Sequence, residues 1–136
     1  MILIELCGVI YMKNIISRRF IDSMRFPATH KLALRDYLRA FDSNVEGSGI
    51  REIWLFGSCA RESATVYSDV DLLVLVEGSS IEDFKCAKAK VMHIVTFLSE
   101  DPEVQITIRF ADTFWSGTDR FTKNVKTDAV IVAKYE

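Results

Sequence analysis

The sequence predicts a single domain of mixed helices and strands, in the α/β or α+β class, with a central sheet of about four strands flanked by helices. Three observations support this class. The run "DLLVLV" (71–76) is apolar without interruption after Asp71, which is typical of a strand buried on both faces. The segment "EVQITIRF" (103–110) alternates apolar and polar residues, as a half-buried strand does. Segments with helical spacing of apolar residues separate the predicted strands, so helices are expected to pack against the sheet.

The first of these helical segments is "THKLALRDYLRAFDSNVEG" (29–47). Its apolar residues that recur at helical spacing are Leu34, Leu38, Phe41 and Val45. Gly47 and Gly49 end the pattern, because glycine readily takes the conformation that closes a helix. The segment "REIWLF" (51–56) then predicts a short strand that leads into a Gly-Ser turn.

The second half of the chain continues the alternation of helices and strands. Ser79 and Glu82 match a capping box, so a helix is expected to begin there, and Pro102 forbids its continuation. After the alternating strand, a short helix is predicted around "TDRFTKNV" (118–125) and a last strand in "AVIVAKY" (129–135).

The composition is that of a globular domain with no general affinity for nucleic acid. The chain has 136 residues, of which 49% are hydrophobic and 26% charged, with a formal net charge of -2. Contact with nucleic acid would therefore need a local basic patch, and none is expected. Cys7, Cys59 and Cys86 have no metal-ligand spacing, which favours a reduced, cytoplasmic protein.

The N-terminal segment "MILIELCGVIY" (1–11) is apolar but too short to span a membrane. Glu5 and the lack of a positive lead also distinguish it from a signal peptide. Two interpretations stay open: an edge strand, or a start-site artefact with Met12 as a second plausible start.

Asp69 and Asp71 predict a metal site at the beginning of the apolar strand. Residues two apart in a strand point to the same face, so the two carboxylates can share one site while Val70 points to the core. Carboxylates this close repel each other unless a cation lies between them. Magnesium prefers such oxygen ligands, usually together with substrate phosphates.

The Gly-Ser turn before this strand supplies the complementary half of a site. Gly57 lets backbone N–H groups approach a phosphate, and Ser58 offers a hydroxyl and is expected to cap a helix. Either half alone is compatible with an ordinary strand-to-helix turn and polar strand-end residues. Joined at this spacing, they favour a site for the phosphates of a nucleotide.

These residues resemble a known family signature. "FGS", ten residues, then "DVDLLV" is similar to the pattern of the polymerase-beta nucleotidyltransferase superfamily, and especially to the minimal nucleotidyltransferases paired with HEPN-type ribonuclease toxins. The order of elements in residues 31–136 fits that domain, and the ending "VIVAKYE" resembles its final strand. Residues 1–30 are then an N-terminal extension.

The resemblance implies a mechanism and a set of site residues. Asp69 and Asp71 would hold two magnesium ions on the triphosphate of ATP or another NTP. A hydroxyl acceptor would attack the α-phosphate, and pyrophosphate would leave. The positions that the resemblance assigns to the nucleotide are Gly57, Ser58, Arg61 and Ser68. In the minimal subgroup the acceptor is often a tyrosine of the HEPN toxin, so the chain would act as an antitoxin.

The chain departs from the family pattern at two positions. The usual third carboxylate aligns with Gln105, whose side chain is neutral; Glu103, about 7 Å along the strand, is the tentative replacement, with Asp112 as a weaker candidate. Glu62 stands where the family usually has glycine, and it should weaken nucleotide binding if its side chain points inward.

Two further functions stay open beside this one. The chain could be a catalytically impaired binding module that neutralises its partner by contact alone, which Gln105 favours. It could also be a small-molecule, antibiotic-modifying nucleotidyltransferase that acts as a homodimer.

Two residues near the motif have other expected roles. Cys59 lacks a nearby histidine and is expected to be a buried thiol. Arg61 could reach a phosphate or pair with a neighbouring acid.

Overall fold

The computed structural model describes residues 3–6, 9–12 and 20–135, with side chains described from residue 20 onward. The strands are β1 (Leu3–Leu6), β2 (Val9–Met12), β3 (Ile50–Phe56), β4 (Val70–Val76), β5 (Val104–Phe110) and β6 (Val130–Lys134). The helices are α1 (Ala28–Asn44), α2 (Gly57–Ala60), α3 (Ile81–Val95), α4 (Ala111–Phe114) and α5 (Arg120–Asp128). Residues 20–23 are also helical.

The central sheet has four strands in the order β5-β4-β3-β6. β4 pairs with β5 in parallel, whereas β3 pairs with β4 and with β6 in antiparallel orientation. The predicted class and the mixed, four-stranded sheet flanked by helices are therefore confirmed. β1 and β2 pair with each other in a separate two-stranded sheet rather than extending this one.

β4 is buried on both faces, as its apolar run predicts, because its side chains alternate between two cores. One face belongs to the larger core and contributes Val70, Leu72, Val74 and Val76. Leu73 and Leu75 on the other face pack in a smaller cluster with Phe114 and Val125. Every apolar position of this strand is thus used, and only its beginning is open to polar side chains.

The capping box of α3 differs from the prediction by one residue. Ser80, not Ser79, accepts a hydrogen bond from the backbone N–H of Asp83, and the Asp83 carboxylate accepts one in return from the N–H of Ser80. The prediction of Ser79 with Glu82 was wrong because Ser80 and Asp83 offer the same spacing, and aspartate can replace glutamate in the reciprocal bond. No helix in the described part of the chain is both long and apolar enough to cross a membrane.

We expect truncation of the central strand to destabilise the fold far more than truncation of the edge strand. Leu72 has no exposed surface, so Leu72→Ala should lower the free energy of unfolding by about 3 kcal/mol. Ile131 on β6 is 37% exposed, and Ile131→Ala should cost less than about 1 kcal/mol. Urea denaturation of both variants measures the difference, and equal costs would contradict the assignment of the core.

Candidate functional site

The two aspartates lie together at the beginning of β4. Asp69 immediately precedes the strand and Asp71 is its second residue. Both are half-buried, whereas Val70 between them has no exposed surface. The alternation of a strand therefore keeps both carboxylates out of the core and on one side of the sheet, as the sequence predicts.

Gly57 brings the turn after β3 into contact with the Asp71 carboxylate. Phe56, the last residue of β3, is paired with Asp71, and Gly57 follows it with a φ of +75°. A Cβ atom at Gly57 would lie 2.3 Å from Oδ2 of Asp71, so any other residue here would force the Asp71 carboxylate to move. Glycine is needed here for its conformation and for the space it leaves.

Ser58 does not cap the helix that follows. The cap position of α2 is Phe56, which makes no side-chain capping bond, and Ser58 lies in the first turn instead. The expected cap was wrong because α2 begins at Gly57, two residues earlier than a cap at Ser58 requires. Ser58 remains in the turn beside Asp71 as part of the predicted phosphate site.

Gln105 joins the two aspartates from the neighbouring strand. It is paired with Asp71 in the parallel register of β4 and β5. Its side-chain Nε2 donates a hydrogen bond of 2.9 Å to Oδ2 of Asp69. The residue aligned with the family's third carboxylate thus contacts the acidic pair directly, but as a hydrogen-bond donor.

The electrostatics of the pair centre on Asp71. Burial raises the pKa of the Asp71 carboxyl, the charges of Asp69 and Glu103 raise it further, and the charge of Arg61 acts in the opposite direction. The negative charge of the two carboxylates is therefore only partly compensated by the positive charge of Arg61. Such a site favours the binding of a cation.

Glu103 and Asp112 lie at opposite ends of β5. Glu103 is exposed just before the strand, and its backbone carbonyl accepts a hydrogen bond of 2.9 Å from the N–H of Val70. Asp112 lies in α4, beyond the far end of the strand, more than about 16 Å from Gln105 along a strand of this rise. Glu103 stays a candidate for the site, whereas Asp112 is on the wrong edge of the sheet.

His30 holds the loop that carries the aspartates, a role that no sequence pattern indicated. The ring is 1% exposed, and its Nε2 lies 2.6 Å from the backbone carbonyl of Ser68. Because a carbonyl only accepts hydrogen bonds, Nε2 carries the proton, and in the neutral ring Nδ1 accepts from the Thr29 hydroxyl at 3.0 Å. The residue before Asp69 is thereby fixed to α1.

Ser68 also closes its own loop. Its hydroxyl accepts a hydrogen bond of 2.9 Å from the backbone N–H of Thr65, and its N–H donates one of 3.0 Å to the Thr65 carbonyl. Tyr67, at the tip of this turn, is 93% exposed. Ser68 therefore shapes the approach to Asp69, whatever contact it makes with a nucleotide.

The basic and acidic residues after the Gly-Ser turn have partners of their own. Arg61 lies 3.7 Å from Asp128, so it pairs with a neighbouring acid, one of the two roles that the sequence left open. Glu62 has a φ of +59°, in the region that favours glycine, and its carboxylate accepts a hydrogen bond of 2.7 Å from the Arg25 backbone N–H. Its side chain is thus held by the segment before α1.

Cys59 is a structural thiol. It is fully buried, and its Sγ lies 3.6 Å from the backbone carbonyl of Asp69. Burial, together with the charge of Asp71, raises the pKa of the Cys59 thiol to about 11, so the thiolate needed for nucleophilic chemistry does not form near neutral pH. The expectation of a buried, unreactive cysteine is supported.

Fold and site together define a class: a mixed α+β domain that holds an acidic pair against a Gly-Ser turn at one edge of its sheet. The family model of the nucleotidyltransferase domain matches residues 34–132. The chain therefore belongs to the nucleotidyltransferase domain family. Among curated proteins, none matches the chain in sequence.

Solved structures show related folds. A presumptive nucleotidyltransferase from Sulfolobus solfataricus is 17% identical with a TM-score of 0.50, over 82% of this chain and 93% of that one. A presumptive minimal nucleotidyltransferase is 26% identical with a TM-score of 0.44, over 73% and 92% of the two chains. A toxin–antitoxin complex with AMP-PNP is 17% identical with a TM-score of 0.43, over 75% and 73%. The structural similarity to the Sulfolobus solfataricus protein supports the assignment of the fold.

We expect Gly57→Ala to cost more stability than Gly47→Ala. Both glycines have a positive φ, +75° and +74°, so both substitutions carry similar backbone strain of about 1 kcal/mol. Only at Gly57 must the new Cβ also displace the Asp71 carboxylate, because nothing lies within 4 Å of a Cβ at Gly47. Urea denaturation should show an additional loss of about 1–2 kcal/mol for Gly57→Ala. Equal losses would contradict the close approach.

We expect Asp71→Asn to stabilise the cation-free protein at neutral pH. The folded state raises the pKa of Asp71, so it binds a proton more tightly than the unfolded chain does and loses stability as the pH rises through that pKa. The uncharged amide escapes this loss, and the melting temperature at pH 7 should rise by about 3 °C. The gain should shrink as the pH falls through the raised pKa of Asp71 and should vanish well below the unfolded value of 3.8, where the wild-type carboxyl is protonated in both states. A gain that is constant with pH would exclude this explanation.

Proposed function

We propose that the chain is a magnesium-dependent nucleotidyltransferase that transfers a nucleoside monophosphate, AMP from ATP, to a hydroxyl acceptor. One observation carries the proposal: Asp71 lies against Gly57 with the charge of Asp69 acting on it, in a chain that belongs to the nucleotidyltransferase domain family. A carboxylate pair against a glycine turn provides cation ligands and an approach for phosphates in one place.

The residues present fit a divalent cation. Burial and the charge of Asp69 raise the pKa of Asp71. The negative charge of the pair is therefore not fully compensated in the absence of a cation. Asp69 and Asp71 would hold the magnesium ion, which when bound would neutralise charge on the nucleotide phosphates. The hard oxygen donors of two carboxylates are those that magnesium prefers.

The chain's own residues would orient the nucleotide and the acceptor. Gly57 and Ser58 would face the outer phosphates, since the turn at Gly57 brings this backbone against the Asp71 carboxylate. The acceptor oxygen would form a bond to the α-phosphorus, the bond from that phosphorus to the bridging oxygen would break, and pyrophosphate would leave. Glu103, exposed just before β5, is the acceptor that we propose for the hydroxyl proton.

The acceptor that we propose is a tyrosine of a HEPN-type toxin in the cytoplasm, which gives the chain the role of an antitoxin. This part rests on the resemblance of "GSCARESATVYSDVDLLVLVE" (57–77) to the minimal nucleotidyltransferases. Gln105 favours a second candidate, a binding module that neutralises the same partner by contact alone, because its amide cannot replace a carboxylate as a base.

The test incubates the protein with magnesium, ATP labelled at the α-phosphate and a HEPN-type toxin, and follows transfer of label. We expect Asp69→Asn with Asp71→Asn to reduce transfer at least about 100-fold, because charge stabilisation at the phosphates is lost. Asp112→Asn is the matched control, since it removes an acid at the far end of β5 and should leave transfer unchanged.

The same double variant separates the two candidates. Loss of transfer together with loss of toxin neutralisation would establish the enzyme. Full neutralisation by the double variant would instead establish the binding module. Labelling of an aminoglycoside by the protein alone would point to the small-molecule nucleotidyltransferase.

A further inference from the structure

We infer that Gln105 restricts this site to a single divalent cation and positions Asp69 when the cation is absent. The inference rests on the proposed function, because it concerns the same acidic pair. It departs from the two-ion arrangement that the family resemblance implies. The hydrogen bond between Gln105 and Asp69 is the observation that carries it.

The orientation of the Gln105 amide is fixed by its partner. An ionised carboxylate can only accept hydrogen bonds, so the amide must present its NH₂ group to Oδ2 of Asp69. The in-register pairing of Gln105 with Asp71 keeps the side chain at the beginning of β4 and β5, where both aspartates lie. The Gln105 amide therefore lines the site from the side of β5.

An N–H donor on Asp69 excludes a cation from the same position. The amide nitrogen carries the positive end of its dipole towards the carboxylate and has no lone pair to offer a metal ion. A cation bound at that Oδ2 from the β5 side would have to break the 2.9 Å hydrogen bond and face the N–H group. The side that Asp69 shares with Asp71 is left as the place for an ion.

The charges at the site agree with one ion. Two carboxylates balance one divalent cation, and the next acid, Glu103, is exposed before the start of β5 rather than at the position of Gln105. The described residues contain no group of three or more His, Cys, Asp or Glu side chains arranged to hold a metal.

The same hydrogen bond gives Gln105 a positioning role. It satisfies one oxygen of Asp69 and so counters part of the repulsion from Asp71. The carboxylate is then held in the orientation in which it meets the ion, and less reorganisation is needed on binding.

The experiment counts Mn²⁺ bound per chain by electron paramagnetic resonance, with saturating α,β-methylene-ATP as the nucleotide. We expect one Mn²⁺ per wild-type chain and an uncoupled spectrum. The variant Glu103→Gln with Gln105→Glu moves one acid to position 105 at constant net charge. It should bind a second Mn²⁺ and give the coupled spectrum of two ions about 4 Å apart. Gln105→Met, which removes the hydrogen bond without adding charge, should stay at one.

The number of Mn²⁺ ions bound per chain tests the inference and the proposed function separately. Two Mn²⁺ per wild-type chain, or one per Glu103→Gln/Gln105→Glu chain whose far-UV circular dichroism is that of the wild type, would overturn the inference and leave the proposed function standing. No Mn²⁺ on the wild type with the nucleotide analogue would overturn the proposed function and the inference with it. If the double variant does not fold, the wild-type stoichiometry alone decides.

Discussion

The antiparallel pairing of β3 with β4 sets Phe56 opposite Asp71, and the rest of the site depends on this register. Because Gly57 follows directly, the chain turns away from the sheet at the one place where the Asp71 carboxylate lies. A shift of one residue would send Asp71 into the larger core and Val70 to the surface, at a cost that the apolar face cannot tolerate. The core that stabilises β4 thereby also fixes the position of the acidic pair.

The acidic pair destabilises the fold locally. Burial and the charges of Asp69 and Glu103 disfavour ionisation of Asp71, and the charge of Arg61 acts against this, while the Gln105 amide donates its hydrogen bond to Asp69. A protein selected for stability alone would place uncharged side chains here. Two carboxylates in this position favour the cation site that we propose, and the hydrogen bond from Gln105 to Asp69 adds no third negative charge.

Local patterns predicted the parts of the structure that depend on alternation and on glycine. The apolar run of β4 indicated burial on both faces, and the i, i+2 spacing of Asp69 and Asp71 placed them on one side, because these features follow from the geometry of a strand. The capping residue of α3 was displaced by one position, since serine and an acid occur twice at the same spacing. Boundaries of this kind depend on which of two equivalent hydrogen bonds forms.

Contacts between distant segments could not be predicted from the sequence. His30 and Ser68 are 38 positions apart, and nothing in either neighbourhood indicates that a ring nitrogen meets a carbonyl. The alignment of Gln105 with a carboxylate position was visible, but its bond to Asp69 depends on the register of β4 with β5 and on a side-chain rotamer. Such contacts arise only once the sheet has formed.

The loop between the Gly-Ser turn and Asp69 is held at both ends by the segment around the start of α1. Near its beginning, Glu62 accepts a hydrogen bond from the Arg25 backbone in spite of a φ that costs a non-glycine residue about 1 kcal/mol. At its end, the buried His30 ring holds the Ser68 carbonyl. A glycine at position 62 would avoid the strain but would lose the carboxylate that ties the loop to Arg25. The strained backbone at Glu62 is therefore the cost of a carboxylate that fixes the loop to the segment before α1.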